Sequence, residues 1–465
     1  MRLATKTRII LKRLFDRIRN ERIKLNLLQA IPFWLASAIT GLVAVLFTKL
    51  FGLAEFARSF IFSHKSWLFL MFSPLCFSFS WWVVRKYAPY ARGSGIPQTM
   101  AAIALANPRQ HHKVDKLLNM PILLVKIISS LVMTLGGGLI GREGPTIQIA
   151  GSIFRKVNQI LPSWWPKISK RNMIMTGAAA GLAAAFNTPL GGIVFAVEEL
   201  TKTHISYFKT ALFTAVLIAG LTAQALLGPY LYLGYPDVSH LSSWIFLVVI
   251  LVSLVTGLFG SGMSKIILGV FKWRARFKSG YQFLFYAIAA GLVIASLGIL
   301  FDERMMGSGK SLMTGTLFTS RKVLPLYVPL LRIAGTIVSF TVGGAGGIFA
   351  PALSAGAGFG SVLSGWFHLS PTDTNLVILC GMVGFLTGVT RTPFTSAILV
   401  LEMTDRHNVI FHLMLAALAA NLIAMLIDKH SLYDRLKFDY LQEVQEDERQ
   451  PVLPTAAETQ PADQK

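Results

Sequence analysis

Gly141-Arg142-Glu143-Gly144-Pro145 places a carboxylate inside an apolar, glycine-dense stretch of this 465-residue chain. An ionisable side chain at membrane depth costs several kcal/mol, so it usually lines a pathway or a relay. The glycines and Pro145 break the helix there, and the next helix opens with unpaired N–H groups that can hold an anion. A carboxylate beside such a helix start predicts an anion pathway gated by a proton. The competing reading of Glu143 is a buried ion pair with Arg142 or Lys126. Two further breaks have the same form, Gly93-Ser94-Gly95-Ile96-Pro97 and Gly347-Ile348-Phe349-Ala350-Pro351. Proline suits a first helical turn and glycine permits tight backbone. Each helix start carries about half an elementary charge. Several converging starts would replace an anion's hydration without a full cation, and Ser94 adds a hydroxyl donor. A second acidic feature is Glu198-Glu199, at the end of an apolar stretch; neighbouring helical positions point about 100° apart, so the two acids must differ in role.

The elements that must position these groups are membrane helices. The chain is 53% hydrophobic and 14% charged, against roughly 25% charged in soluble domains. Apolar runs recur at 31–51, 67–84, 121–140, 210–227, 244–267, 283–300, 324–342, 375–389 and 409–427, several of them long enough to span a bilayer. The fold class read from this is an all-α polytopic membrane protein. Glycine and proline interrupt the segments 136–151, 177–199, 343–360 and 381–402; broken helices at matching places in two halves point to a transport site, the alternative being close packing through small residues.

The formal net charge is +22, but the basic residues cluster at the ends of spans, which argues against nucleic acid. Residues 2–24 carry nine Lys or Arg, the 265–278 segment carries five, and 228–243 carries none. The positive-inside rule then puts the N-terminus and 265–278 in the cytoplasm. Residues 1–30 read as a basic amphipathic helix on the inner membrane surface, 31–440 as the transmembrane domain, and 441–465 as a disordered cytoplasmic tail. No secretory signal peptide is expected. Cys76 and Cys380 lie in apolar segments and imply neither a disulfide nor a metal site. No cofactor is expected, and there is no GxxxxGK[ST] nucleotide loop.

Residues 177–200 and 381–404 align at an offset of 204, matching Gly177 with Gly381, Leu182 with Leu386, Thr188 with Thr392, Pro189 with Pro393 and Glu198 with Glu402. Gly141…Pro145 aligns with Gly347…Pro351 at 206. The chain therefore reads as duplicated halves, 31–230 and 244–430, with a binding site at their shared interface. The pattern does not say whether the halves are inverted. Glu198 and its partner Glu402 read as structural, capping nearby loops. Glu199 has Met403 in the equivalent place, and its competing reading is a cytoplasmic face near Lys202.

GSGIP, GREGP and GIFAP in this order, in a duplicated helical membrane protein, resemble the CLC family of chloride channels and chloride/proton antiporters across residues 30–440. The resemblance implies inverted-repeat halves and a homodimer with one pore per subunit. It implies that Ser94 and the backbone N–H groups of Ile348 and Phe349 bind the central chloride, together with the hydroxyl of Tyr433, which the residues alone would make an interfacial anchor. It makes Glu143 the external gate and Glu199 the internal proton acceptor. The expected function is electrogenic H+/Cl- exchange, with a passive voltage- or pH-gated chloride channel as the alternative. An intramembrane enzyme using paired acids finds no nucleophile with an activating base. The chain departs from many relatives at Gln98, where an acid follows GSGIP, and at Met100. The resemblance also implies a prokaryotic inner-membrane protein without paired regulatory nucleotide-binding domains.

Overall fold

The computed structural model describes residues 16, 20–201, 209–228 and 231–449. Most of the expected N-terminal surface helix and residues 450–465 of the expected tail lie outside them. The first half holds α1 (Glu21–His64), α2 (Phe69–Tyr87), α3 (Ile96–Leu105), α4 (Met120–Leu135), α5 (Glu143–Ile160), α6 (Lys170–Phe186), α7 (Pro189–Phe195) and α8 (Lys209–Leu227). The second holds α9 (Ile245–Arg274), α10 (Gly280–Leu300), α11 (Lys310–Phe318), α12 (Tyr327–Thr341), α13 (Phe349–Trp366), α14 (Pro371–Thr390), α15 (Pro393–Thr404) and α16 (Ile410–Ile427). Taken in order, each of these eight helices of the first half has a counterpart in the second; a further single turn, Val114–Leu117, has none. A polar helix, α17 (Leu432–Arg449), follows.

Among the described residues, eight helices are long and apolar enough to cross a membrane. Others are short because the sequence stops them: α3, α5 and α13 begin at the three glycine-proline breaks. The apolar run 324–342 yields only the 15-residue α12. Pro325 and the turn at 326 precede it, and a glycine pair at 343–344 ends it. Helix α14 would pass for a lipid-facing span by composition, yet 94% of its apolar window is buried inside the protein.

The halves are inverted. Helix α6 ends on Asn187 (φ 58°) and α14 on Arg391 (φ 59°), equivalent residues in the same left-handed conformation. Each is followed by Thr-Pro and a new helix. The Glu198 carboxylate, in the π-helical turn after α7, accepts from the N–H groups of Phe394 and Thr395 (3.1 and 2.7 Å) and from the Thr395 hydroxyl (2.7 Å) at the start of α15. Glu402, in the last turns of α15, accepts from Leu190 and Gly191 N–H (3.0 and 2.6 Å) at the start of α7. Each helix end caps the other's start, so α7 and α15 run antiparallel about a two-fold axis. The structural role expected of Glu198 and Glu402 is the one observed.

Two boundaries differ from expectation. Helix α1 runs unbroken through residue 30 and over Pro32. Proline has no N–H for the carbonyl four residues back, and the Trp165 indole donates to that carbonyl, Leu28 O, at 2.6 Å. Helix α17 continues past residue 440 to Arg449. Its far end is pinned: Arg92 forms a two-pronged pair with Glu443 (3.1 and 2.5 Å), and Tyr90 donates to Asp447 at 2.5 Å. An acidic, glutamine-containing segment is ordered by these distant partners and by Val444, which is buried in the main hydrophobic cluster.

Candidate functional site: an anion site between two cavities

The three glycine-proline loops meet at the centre of the molecule. Gly93 and Ala345 form a parallel bridge, and Gly141 and Gly347 an antiparallel one. Gly141 and Gly347 exchange both backbone bonds (2.8 and 2.7 Å), while Gly93 N–H donates to Gly344 O at 2.8 Å and Gly346 N–H to Gly93 O at 3.0 Å. These bonds tie the starts of α3, α5 and α13 to one another. The first helical bonds of the three are Thr99 N–H to Gly95 O, Thr146 N–H to Arg142 O and Ala352 N–H to Ile348 O. The N–H groups before them, including Ile348 and Phe349, have no helical acceptor.

Ser94 is 1% exposed and so is Tyr433. Their hydroxyls are neighbours, and neither makes a hydrogen bond of normal geometry. Two buried, unspent hydroxyl donors beside orphan N–H groups have the chemistry to hold an anion. The Phe349 ring lies 6.1 Å from that of Tyr433 and packs against Phe186 and Phe195, which keeps water out. Backbone approach here is as close as it can be: a Cβ on Gly144 would stand 2.2 Å from Ser94 Oγ.

Glu143 is 1% exposed. Its carboxylate is turned inward, against the Gly141 Cα, and draws on its own N–H and that of Ala350. The two N–H groups it draws on belong to the starts of α5 and α13. Neither cation proposed as its partner pairs with it. Lys126 Nζ is spent on the carbonyls of Ala91 and Gly93 (2.9 and 2.8 Å), and Arg142 reaches Thr48 O and Ala185 O. Lys126 is itself fully buried. Its amine stands behind the loop that presents Ser94, with the carbonyls of Ala91 and Gly93 between. Its signal in the sequence was a single Lys inside the apolar run 121–140.

Cavities approach this plug from opposite sides. One, of about 290 Å³, ends on Glu143 and is lined by Thr48, Glu55, Arg142, Tyr232, Ser308 and Lys310. The other, of about 570 Å³, ends on Ser94 and carries Arg85, Arg92, Lys272, Arg274 and Asp439. Gln98 lines the second cavity; its amide donates to Arg92 O (2.5 Å) and Tyr440 Oη (3.0 Å). A carboxylate has no hydrogen to give to that carbonyl, which accounts for glutamine there. Met100 is buried beneath. Glu199 is 5% exposed, in the widened turn Ala196–Thr201, and Tyr433 lies within electrostatic reach of both Glu143 and Glu199. The structure therefore brings Ser94, Ile348, Phe349, Tyr433 and Glu143 together, with Glu199 buried within electrostatic reach of Tyr433.

Glu55, Ser308 and Lys310 were missed in the sequence. The available signal was another Gly-Ser-Gly at 307–309, 214 residues after the one at 93–95 and, like it, at the start of a helix.

The family model described as voltage gated chloride channel matches residues 76–425. The chain is similar to the "H(+)/Cl(-) exchange transporter ClcA" of Cronobacter sakazakii, 30% identical over 426 residues that cover 86% of this chain and 87% of the relative. It is similar to the protein of the same name from Citrobacter koseri, 29% identical over 419 residues covering 86% and 85%. Among solved structures, a slow cyanobacterial Cl-/H+ antiporter superposes with a TM-score of 0.78 at 23% identity, over 90% of this chain and 98% of that one. A CLC-type fluoride/proton antiporter gives 0.72 at 22% identity, over 89% and 98%. These likenesses and the matched span identify this multi-pass membrane protein as a member of the voltage gated chloride channel family.

Proposed function

We propose that this chain exchanges chloride for protons across a prokaryotic inner membrane. The observation that carries the reading is the Glu143 carboxylate folded onto the N–H groups of two helix starts, between cavities that end on Glu143 and on Ser94. Chloride binds the hydroxyls of Ser94 and Tyr433 and the N–H groups of Ile348 and Phe349. An ionised Glu143 competes for that shell. A protonated Glu143 loses its attraction to the helix starts, swings toward the 290 Å³ cavity and lets chloride take its place. Glu199 takes up protons from the opposite side. The absence of basic residues in 228–243 puts the Glu143 cavity outside, and both termini and the Ser94 cavity in the cytoplasm. The close relatives' shared name supports exchange rather than passive conduction. No cofactor takes part, and the protein works as a homodimer in the bilayer with one pore per subunit.

The test is transport in liposomes under an imposed chloride gradient, with the voltage set by valinomycin and potassium. Chloride should drive protons uphill. Glu143→Gln should keep chloride flux and lose proton movement, and Glu199→Gln should lose it too. Chloride flux without proton movement in the unaltered protein would make it a channel.

A further inference from the structure

The Gly307-Ser308-Gly309 turn repeats Gly93-Ser94-Gly95 in conformation as well as sequence. Its glycines have φ of 69° and 89°, against 64° and 101° at the first turn. Each turn opens a short helix, α11 and α3. Inversion sends the second turn to the opposite side, into the cavity beyond Glu143. The turn is rigidly held. A Cβ on Gly309 would lie 2.4 Å from atoms of Arg332 and Ser354. Arg332, fully buried, donates to Arg304 O, Gly307 O and the Ser354 hydroxyl.

At the first turn the serine hydroxyl is unspent. At the second it already holds a negative group: Glu55 Oε1 accepts from the Ser308 hydroxyl at 2.6 Å and from its N–H at 3.3 Å. That carboxylate stands in for a small anion. Lys310 follows the turn, with its ammonium over the Tyr232 ring, 4.8 Å from the centroid. The charged groups facing this space are Glu55 from α1, Arg142 and Glu143 from the start of α5, and Lys310 from α11, with Arg58 behind Gly307 and paired to Glu303 at 3.0 Å.

We propose that the Ser308–Lys310 turn and Arg142 form a second, outer capture site for a halide, and that Glu55 is its built-in competitor. The site gathers chloride from outside and delivers it to the space that Glu143 vacates. Two cations in a narrow apolar-walled cavity focus the field and raise the local anion concentration. Glu55 keeps the site from holding its ion too long. The inference deepens the chloride-exchange reading and rests on it.

The experiment measures turnover in liposomes against chloride concentration for the unaltered protein, Lys310→Gln and Glu55→Gln. Lys310→Gln should raise the chloride KM roughly three- to ten-fold with turnover at saturation little changed. Glu55→Gln should lower KM. Both shifts should shrink when an impermeant salt shortens the screening length. Shifts of the same sign, a loss of maximal turnover alone, or a KM indifferent to ionic strength would overturn the capture site, since a merely structural role produces those patterns. If the unaltered protein carries no chloride at all, the transport reading itself has failed; if it does and neither KM moves, only the outer site has failed.

Discussion

At the scale of single residues, the site depends on what is missing as much as on what is present. Gly144 has no side chain because Ser94 Oγ occupies the place a Cβ would take, 2.2 Å away. Gly144→Ala must push the serine hydroxyl or the α5 start aside. Overpacking of this kind costs about 1–3 kcal/mol. If the strain falls on the site rather than being relaxed elsewhere, chloride turnover should drop at least about ten-fold, the equivalent of ~1.4 kcal/mol. Measured chloride efflux checks it, and unaltered turnover would show that Ser94 is not held where the ion passes.

At the scale of elements, the crossed caps of α7 and α15 hold the two halves together. Glu198 accepts three hydrogen bonds and Glu402 two. Hydrogen bonds to charged groups are worth about 1.5–3 kcal/mol each, so either glutamate contributes to keeping both helix starts aligned. Glu198→Gln and Glu402→Gln should both lower the unfolding temperature in detergent, and Glu198→Gln should lower it more, because the Thr395 hydroxyl is its additional donor. Thr395→Val should narrow the gap between the two. Equal shifts in all backgrounds would mean that the caps act only through the backbone.

At the scale of the whole molecule, the Ser94 cavity is roofed by α17, whose Leu436, Asp439 and Tyr440 line it and whose first turn carries Tyr433. Arg85, Arg92, Lys272 and Arg274 face Asp439 across that cavity. Burial pushes the Asp439 carboxyl above its ordinary range, while Lys272 and Arg92 pull it down. As pH falls, Asp439 therefore loses its charge earlier than a free aspartate would, and the cavity becomes more basic. Internal acidification should lower the KM for internal chloride, and Asp439→Asn should show the low KM at every pH and lose this component of the pH dependence. Flux measured against internal chloride at a series of internal pH values decides it. A cross-linked or light-scattering mass of two chains in detergent would support the dimer.

The sequence by itself determined the membrane class, the three helix breaks and the repeat, because these rest on local physics. Apolar length decides a span, Pro and Gly decide a break, and like sequence in the two halves folds alike. It also marked Glu143, Glu198 and Glu402, since a carboxylate in an apolar run needs a reason wherever it lands. Only the tertiary structure decided that the halves are inverted, that Glu198 and Glu402 cap each other's helices, and that Glu143 turns onto the starts of α5 and α13 rather than into an ion pair. Those facts are contacts between residues some 200 apart in sequence, such as Glu198 with Thr395, and no local pattern encodes which distant partner a charge will meet. The same holds for α17, whose acidic end is disordered on composition and ordered by Arg92 and Tyr90. It holds also for Ser308, whose chemistry depends on Glu55, 253 residues before it.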